Sequence, residues 1–125
     1  MHESSLARKI LALSLAAARP GAIVRVIRGR VAETETLSQG ALELNFRAQA
    51  RGTPAADARL EIELVHIEAR CRGCGAVFRP EHHVLLCTQC GSSDGEELGP
   101  TGLWLDSIDV AGGDVAGGDV AGGDS

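Results

Sequence analysis

The sequence predicts an α+β lobe, a three-stranded sheet with two helices on one face, interrupted by a small cysteine-rich insertion. Three observations predict it. Leu6, Ile10, Leu13 and Ala17 recur at helical spacing near the amino terminus. Residues 22–31, 60–65 and 102–110 are β-branched or alternating runs. Between the second and third runs lie four cysteines in two Cys-x-x-Cys pairs, in a stretch poor in long apolar side chains.

Residues 4–18 read as an amphipathic helix, with Ser4 or Ser5 near its start and Pro20-Gly21 as its stop. Arg8-Lys9 followed by Ile10 to Ala18 imitates a secretory signal. Glu3 and an apolar stripe that begins at Leu6, ahead of that run, argue instead for an ordinary helix. The run also falls short of the roughly 20 apolar residues that span a bilayer. Residues 22–31 form a strand, and Gln39 to Ala50, with Leu42 and Phe46 four apart, form a second helix. Thr53-Pro54 caps one short turn over Ala55 to Ala58. Leu60, Ile62 and Leu64 point inward from the next strand, and residues 102–110 rejoin the same sheet.

The expected organisation is therefore an α+β domain of residues 1–69 and 100–110, an insertion of residues 70–99, and a flexible low-complexity tail of residues 111–125. In the tail the unit Asp-Val-Ala-Gly-Gly, starting at Asp109, Asp114 and Asp119, offers too little apolar surface to offset the entropy of ordering it.

With 125 residues and 13.0 kDa, the chain has room for one domain or two small lobes. Twelve Lys and Arg against 17 Asp and Glu leave a net charge of −5. No basic stripe is present to displace counterions from a duplex, and Phe46, Phe78 and Trp104 are the only aromatic residues. Neither nucleic acid nor a membrane is an expected partner. No motif sets a nucleophile against a base, so an enzyme is not expected and no catalytic residue is assigned.

Cys71-x-x-Cys74 and Cys87-x-x-Cys90 enclose twelve residues. Each pair suits a knuckle that turns two sulfurs to one side, helped by Gly73, Gly75 and Gly91, and two knuckles facing each other complete a thiolate tetrahedron for Zn²⁺. Disulfides or a redox pair are alternatives. Zinc also supplies the folding free energy that this coreless segment lacks. Arg70, Arg72 and Arg79 are placed in sequence to offset the charge of the site, and His82-His83 lies between the pairs. Four cysteines fill the coordination shell, which makes the site closed and structural.

The chain begins Met1-His2-Glu3. The α-amine, the His2 amide nitrogen and the His2 imidazole can close fused chelate rings around one ion, with Glu3 adding its own amide nitrogen or its carboxylate. Nitrogen-rich tetragonal sets suit Ni²⁺ or Cu²⁺. Such a site needs an unblocked amine, a retained Met1 and an accessible His2. By itself, a histidine in second place carries little information.

Taken together, these motifs resemble the HypA/HybF family of nickel metallochaperones for [NiFe]-hydrogenase maturation. The resemblance runs through residues 1–110. It is carried by Met1-His2-Glu3 before a helix, Gly52-Thr53 ahead of an Ala-rich turn, the Leu60 to Leu64 strand, both cysteine pairs, and Gly102-Leu-x-Leu-x-x-Ile108. It implies Ni²⁺ held by His2 with the Met1 amine and Glu3, structural Zn²⁺ on Cys71, Cys74, Cys87 and Cys90, and delivery to the hydrogenase large subunit precursor with a HypB-type GTPase in the cytoplasm. Thr88 stands where the family commonly has proline, and the repeat tail is no part of the family pattern. Glu33 or Glu35 are the candidates for a further carboxylate. A zinc-ribbon adaptor without transferable metal is the alternative reading.

Overall fold

The computed structural model describes residues 2–111 and the strand 116–123. Its elements are α1 (Glu3–Ala17), β1 (Ile23–Glu33), α2 (Gln39–Ala50), β2 (Arg59–His66), β3 (Ala69–Cys71), β4 (Val77–Phe78), β5 (Gly95–Glu97), β6 (Gly102–Ala111) and β7 (Ala116–Gly123). The larger sheet has the order β2-β1-β6-β7, and a second small sheet has the order β4-β3-β5. β1 and β2 are parallel, joined by α2 as the crossover that parallel pairing requires, whereas β6 lies antiparallel on the other side of β1.

Helix α1 begins one residue before Ser4. His2 occupies the N-cap, and its carbonyl accepts the Leu6 N–H at 2.9 Å. The fully buried residues are Leu6, Ala7, Ile10 and Ser14, and Leu13 and Ala17 are partly buried and pack against the same core. Ser14 is tolerated there because its hydroxyl donates to the Ile10 carbonyl at 2.7 Å, which leaves no unpaired donor in the core. On α2, Leu42, Phe46 and Ala50 face inward, and the Ser38 side chain caps the helix by accepting the Ala41 N–H.

These side chains meet Val24, Ile27 and Val31 of β1, Leu60 and Ile62 of β2, and Leu103, Leu105 and Ile108 of β6 in one cluster. Two of these residues, Val24 and Ile108, would break strict alternation without two irregularities. A register shift at Val24/Val26 leaves Arg25 as an extra residue, so Val24 and Ile27 share a face, and a shift opposite Arg28/Gly29 does the same for Leu105 and Ile108. At this second shift the strands approach closely, and a Cβ on Gly29 would stand 2.2 Å from the Trp104 carbonyl oxygen. Burial of each large aliphatic or aromatic side chain in this cluster contributes about 1.5–3 kcal/mol. The opposite sheet face is polar: Arg28 bridges Glu61 (2.9 Å) and Asp109 (2.8 Å), and Arg30 stacks 4.8 Å from the Trp104 ring centroid.

One expectation is corrected. Residues 116–123 do not lack a pairing partner but run antiparallel to β6 as β7, with Leu105 opposite Val120 and Ile108 opposite Ala116. Backbone pairing along an otherwise open sheet edge needs no large side chains, which is what a composition argument overlooks. Ala111 closes β6, and positions 112–115 and 124–125 lie outside the described residues.

Candidate metal centre

The two Cys-x-x-Cys segments fold into matching knuckles. In the first, the Cys71 N–H donates to the Ala76 carbonyl (2.8 Å) and the Gly75 N–H returns to the Cys71 carbonyl (2.9 Å). In the second, the Cys87 N–H donates to Ser92 (2.8 Å) and the Gly91 N–H to Cys87 (3.0 Å). Gly75 and Gly91 have φ of 78° and 76°, a region that side chains with a Cβ disfavour, whereas Gly73 is not left-handed. Each knuckle therefore turns on the glycine that follows its second cysteine. Sulfur orientation follows from this repeat: the first cysteine of each pair is buried and the second is exposed.

All four Sγ atoms lie within 4.8 Å of one another, and Cys71–Cys90 and Cys74–Cys87 are each 3.6 Å apart across the knuckles. A Zn–S bond near 2.3 Å sets tetrahedral sulfur–sulfur edges of about 3.8 Å, so the cluster fits that ion. A disulfide needs about 2.05 Å, and all four side chains are free thiols. The Cys87 sulfur accepts the N–H groups of Cys90 (3.5 Å) and Gln89 (3.3 Å), and its pKa is lowered to about 6. Backbone N–H groups of Cys74 and Gly73 lower Cys71 in the same way. Cys74 and Cys90 also receive backbone N–H groups, from Ala76 and Ser92. For them the neighbouring sulfurs and desolvation outweigh that gain, and Cys90 is pushed up to about 11. Four thiolates this close repel one another, and a divalent cation removes that repulsion.

Surrounding charges are arranged differently from the sequence expectation. Arg72 is tied to Asp94 (2.9 Å) and the Gly95 carbonyl rather than to a sulfur. His82 and His83 are exposed, and neither belongs to the sulfur cluster among the described residues. The small sheet is anchored to the larger lobe through backbone bonds from Ile67 to Glu33 (2.9 Å) and from Thr36 to Glu81 (3.1 Å), and through His66 Nε2 with the Pro80 carbonyl. Sequence spacing carried no signal for His66, because its partner is fourteen residues away in an irregular loop.

At the other end of the larger lobe's loop 34–38 stands the chain start. His2 is exposed, and the Glu3 carboxylate accepts the Ser38 N–H at 2.8 Å. The carboxylate is thus occupied in holding the first turn of α1 against the start of α2, while Gln49 donates to the Ser4 carbonyl (2.8 Å) in the same seam. The amide nitrogens of His2 and Glu3 come before the first intrahelical donor, the Leu6 N–H, so the α1 ladder does not use them. Met1 lies outside the described residues. Glu33, the last residue of β1, is buried opposite His66, and Thr34 beside it is buried as well.

Residues 1–110 match the family model described as hydrogenase/urease nickel incorporation, metallochaperone, hypA. Curated hydrogenase maturation factors HypA are similar along most of their length. The Polaromonas naphthalenivorans protein is 38% identical over 104 residues, covering 82% of this chain and 88% of the relative. The Thermococcus sibiricus protein is 30% identical over 135 residues, covering 90% and 98%. Among solved structures, the solution structure of the Ni metallochaperone HypA from Helicobacter pylori aligns with a TM-score of 0.52 at 22% identity, over 87% of this chain and 97% of that one. That likeness concerns the fold.

Proposed function

Since the chain belongs to the HypA family of nickel-incorporation metallochaperones, which are not enzymes, we propose that it takes up Ni²⁺ at Met1-His2-Glu3 and delivers it to the [NiFe]-hydrogenase large subunit precursor. The observation that carries this reading is the position of His2 at the N-cap of α1. Its imidazole is exposed, and the His2 and Glu3 amides belong to the first-turn donors that a helix leaves without internal partners. Recruiting those nitrogens to a square, nitrogen-rich nickel shell costs no helical hydrogen bond. Because the Glu3 carboxylate is held by Ser38, Glu3 contributes through its amide nitrogen. An exposed chelate at a chain end exchanges its ion faster than a buried cage, as cargo requires.

Cys71, Cys74, Cys87 and Cys90 would hold Zn²⁺, whose role is to join two knuckles that bury little else: Ala69, Cys71, Phe78 and Cys87 make up the whole buried cluster of that lobe among the described residues. With all four positions taken by sulfur, this ion stays in place while nickel moves. A HypB-type GTPase is the proposed partner in loading, and the cytoplasm the proposed compartment. No described helix is long and apolar enough to cross a membrane.

The test is calorimetric titration of Ni²⁺ into zinc-loaded protein with a verified free Met1, beside His2→Ala and a form with an amino-terminal extension. One nickel ion bound by the parent chain and none at comparable affinity by the other two is the expected result. Equal affinity in all three overturns the proposal.

A further inference from the structure

A cleft of about 500 Å³ lies at the end of the sheet where β1 and β2 begin and β6 stops. That is roughly 30 Å along β1 from the loop that holds Glu3. Arg25, Arg59 and Asp57 line it together with Ile23, Val26 and Ala111. Arg25 is the extra residue of the first β-bulge, skipped in the pairing with β6, and bulges re-aim a side chain in this way. Arg59 stands next to it because it pairs in register with Val26, and it spends one nitrogen on Glu61 at 3.1 Å. Neither Arg25 nor Asp57 has a charged partner within ion-pair distance among the described residues, although they share one cleft. Ile23, half exposed, supplies an apolar floor.

From this placement we infer that the cleft docks an acidic peptide segment of a partner protein. A carboxylate lies between the Arg25 and Arg59 guanidiniums, an aliphatic neighbour covers Ile23 and Val26, and a backbone N–H donates to Asp57. A bare oxyanion would fill only a small part of the volume and leave the apolar floor wet, and two guanidiniums match carboxylates in fork geometry. The site sits at the far end of β1 from the nickel-binding residues, so a docked partner leaves the chain start open for metal exchange.

The probe is an acetylated, amidated pentapeptide Gly-Asp-Val-Asp-Ala, with its Asn-for-Asp analogue and inorganic phosphate as comparisons. Each is titrated into the full, zinc-loaded chain and followed by amide chemical shifts. Saturable shifts at Ile23, Arg25, Asp57 and Arg59 are expected with the acidic peptide. Binding should weaken about tenfold in Arg25→Gln and in Arg59→Gln, and about tenfold for the analogue, the size of one lost charge-assisted contact. His2→Ala should bind the peptide as the parent chain does. The inference is overturned by an absence of saturable shifts at those amides, by unchanged affinity in both arginine variants, or by phosphate binding there as tightly as the peptide, which would mark a small-oxyanion site.

Discussion

The Glu3 carboxylate accepts the backbone N–H of Ser38 at 2.8 Å, which ties the first turn of α1 to the capping residue of α2. A residue that sequence reasoning assigns to metal binding therefore also has a structural task, and the two can be separated. Glu3→Gln keeps the amide nitrogen and weakens only the charge-assisted bond. We expect unchanged nickel stoichiometry and a stability loss of about 1 kcal/mol, read by calorimetry and by urea unfolding. A loss of nickel without a loss of stability would assign the carboxylate to the metal instead.

The thiols make metal-free protein pH-dependent in a defined sense. Cys87 is depressed to about 6 from the usual thiol value near 9, so the stability it contributes is complete above about pH 9 and disappears as pH falls through 6. Cys90, raised to about 11, acts in the opposite sense: its contribution is present below pH 9 and is lost as pH rises through 11. Under reducing conditions without metal, protection of the Cys71 and Cys87 amides from hydrogen exchange, corrected for the intrinsic rate, should rise from pH 6 toward 9 and fall beyond it. Bound metal should flatten that profile over neutral pH, and loss of the ion should return below about pH 6 as protons compete for sulfur.

Gly29 leaves no room for a side chain. Gly29→Ala places a methyl group 2.2 Å from the Trp104 carbonyl and 2.9 Å from the Leu105 Cα, both of them backbone atoms. The strands must part at the centre of the sheet, and we expect a loss of about 3 kcal/mol in urea unfolding. Gly40→Ala is the control: in the first turn of α2, with its nearest neighbour 4.0 Å away, it should gain a few tenths of a kcal/mol.

Ending the chain at Ala111 removes β7 and exposes the pairing groups along one side of β6. Because β7 adds to the sheet from outside, nickel and zinc stoichiometry should not change. An open edge strand is a template for another chain, so sedimentation should show greater self-association than for the full chain. Identical sedimentation would mean that β7 does not protect that edge.

Local patterns carried most of this fold and the metal cluster. The 3.6-residue stripe of α1, the alternation of Leu60 to Leu64 and the equal spacing of the cysteine pairs all express relations between residues close in the chain, where backbone geometry alone determines which side chains share a face. The four sulfurs converge because each Cys-x-x-Cys can make its own knuckle.

Relations between distant residues were decided elsewhere. Ser14 in the core, the bulges that align Val24 with Ile27, the parallel pairing of β1 and β2, the Glu3 bond to Ser38 and the strand formed by the repeat tail all depend on partners far away in sequence or across the sheet. A hydrogen bond or a close backbone approach is specified by which surfaces meet after the chain has collapsed, and no periodicity within a single segment encodes its partner. The amino-acid order thus determined the elements and the ligands of the cysteine site. Only tertiary packing decided that Glu3 braces two helices, and that Arg25 and Arg59 open onto one cleft.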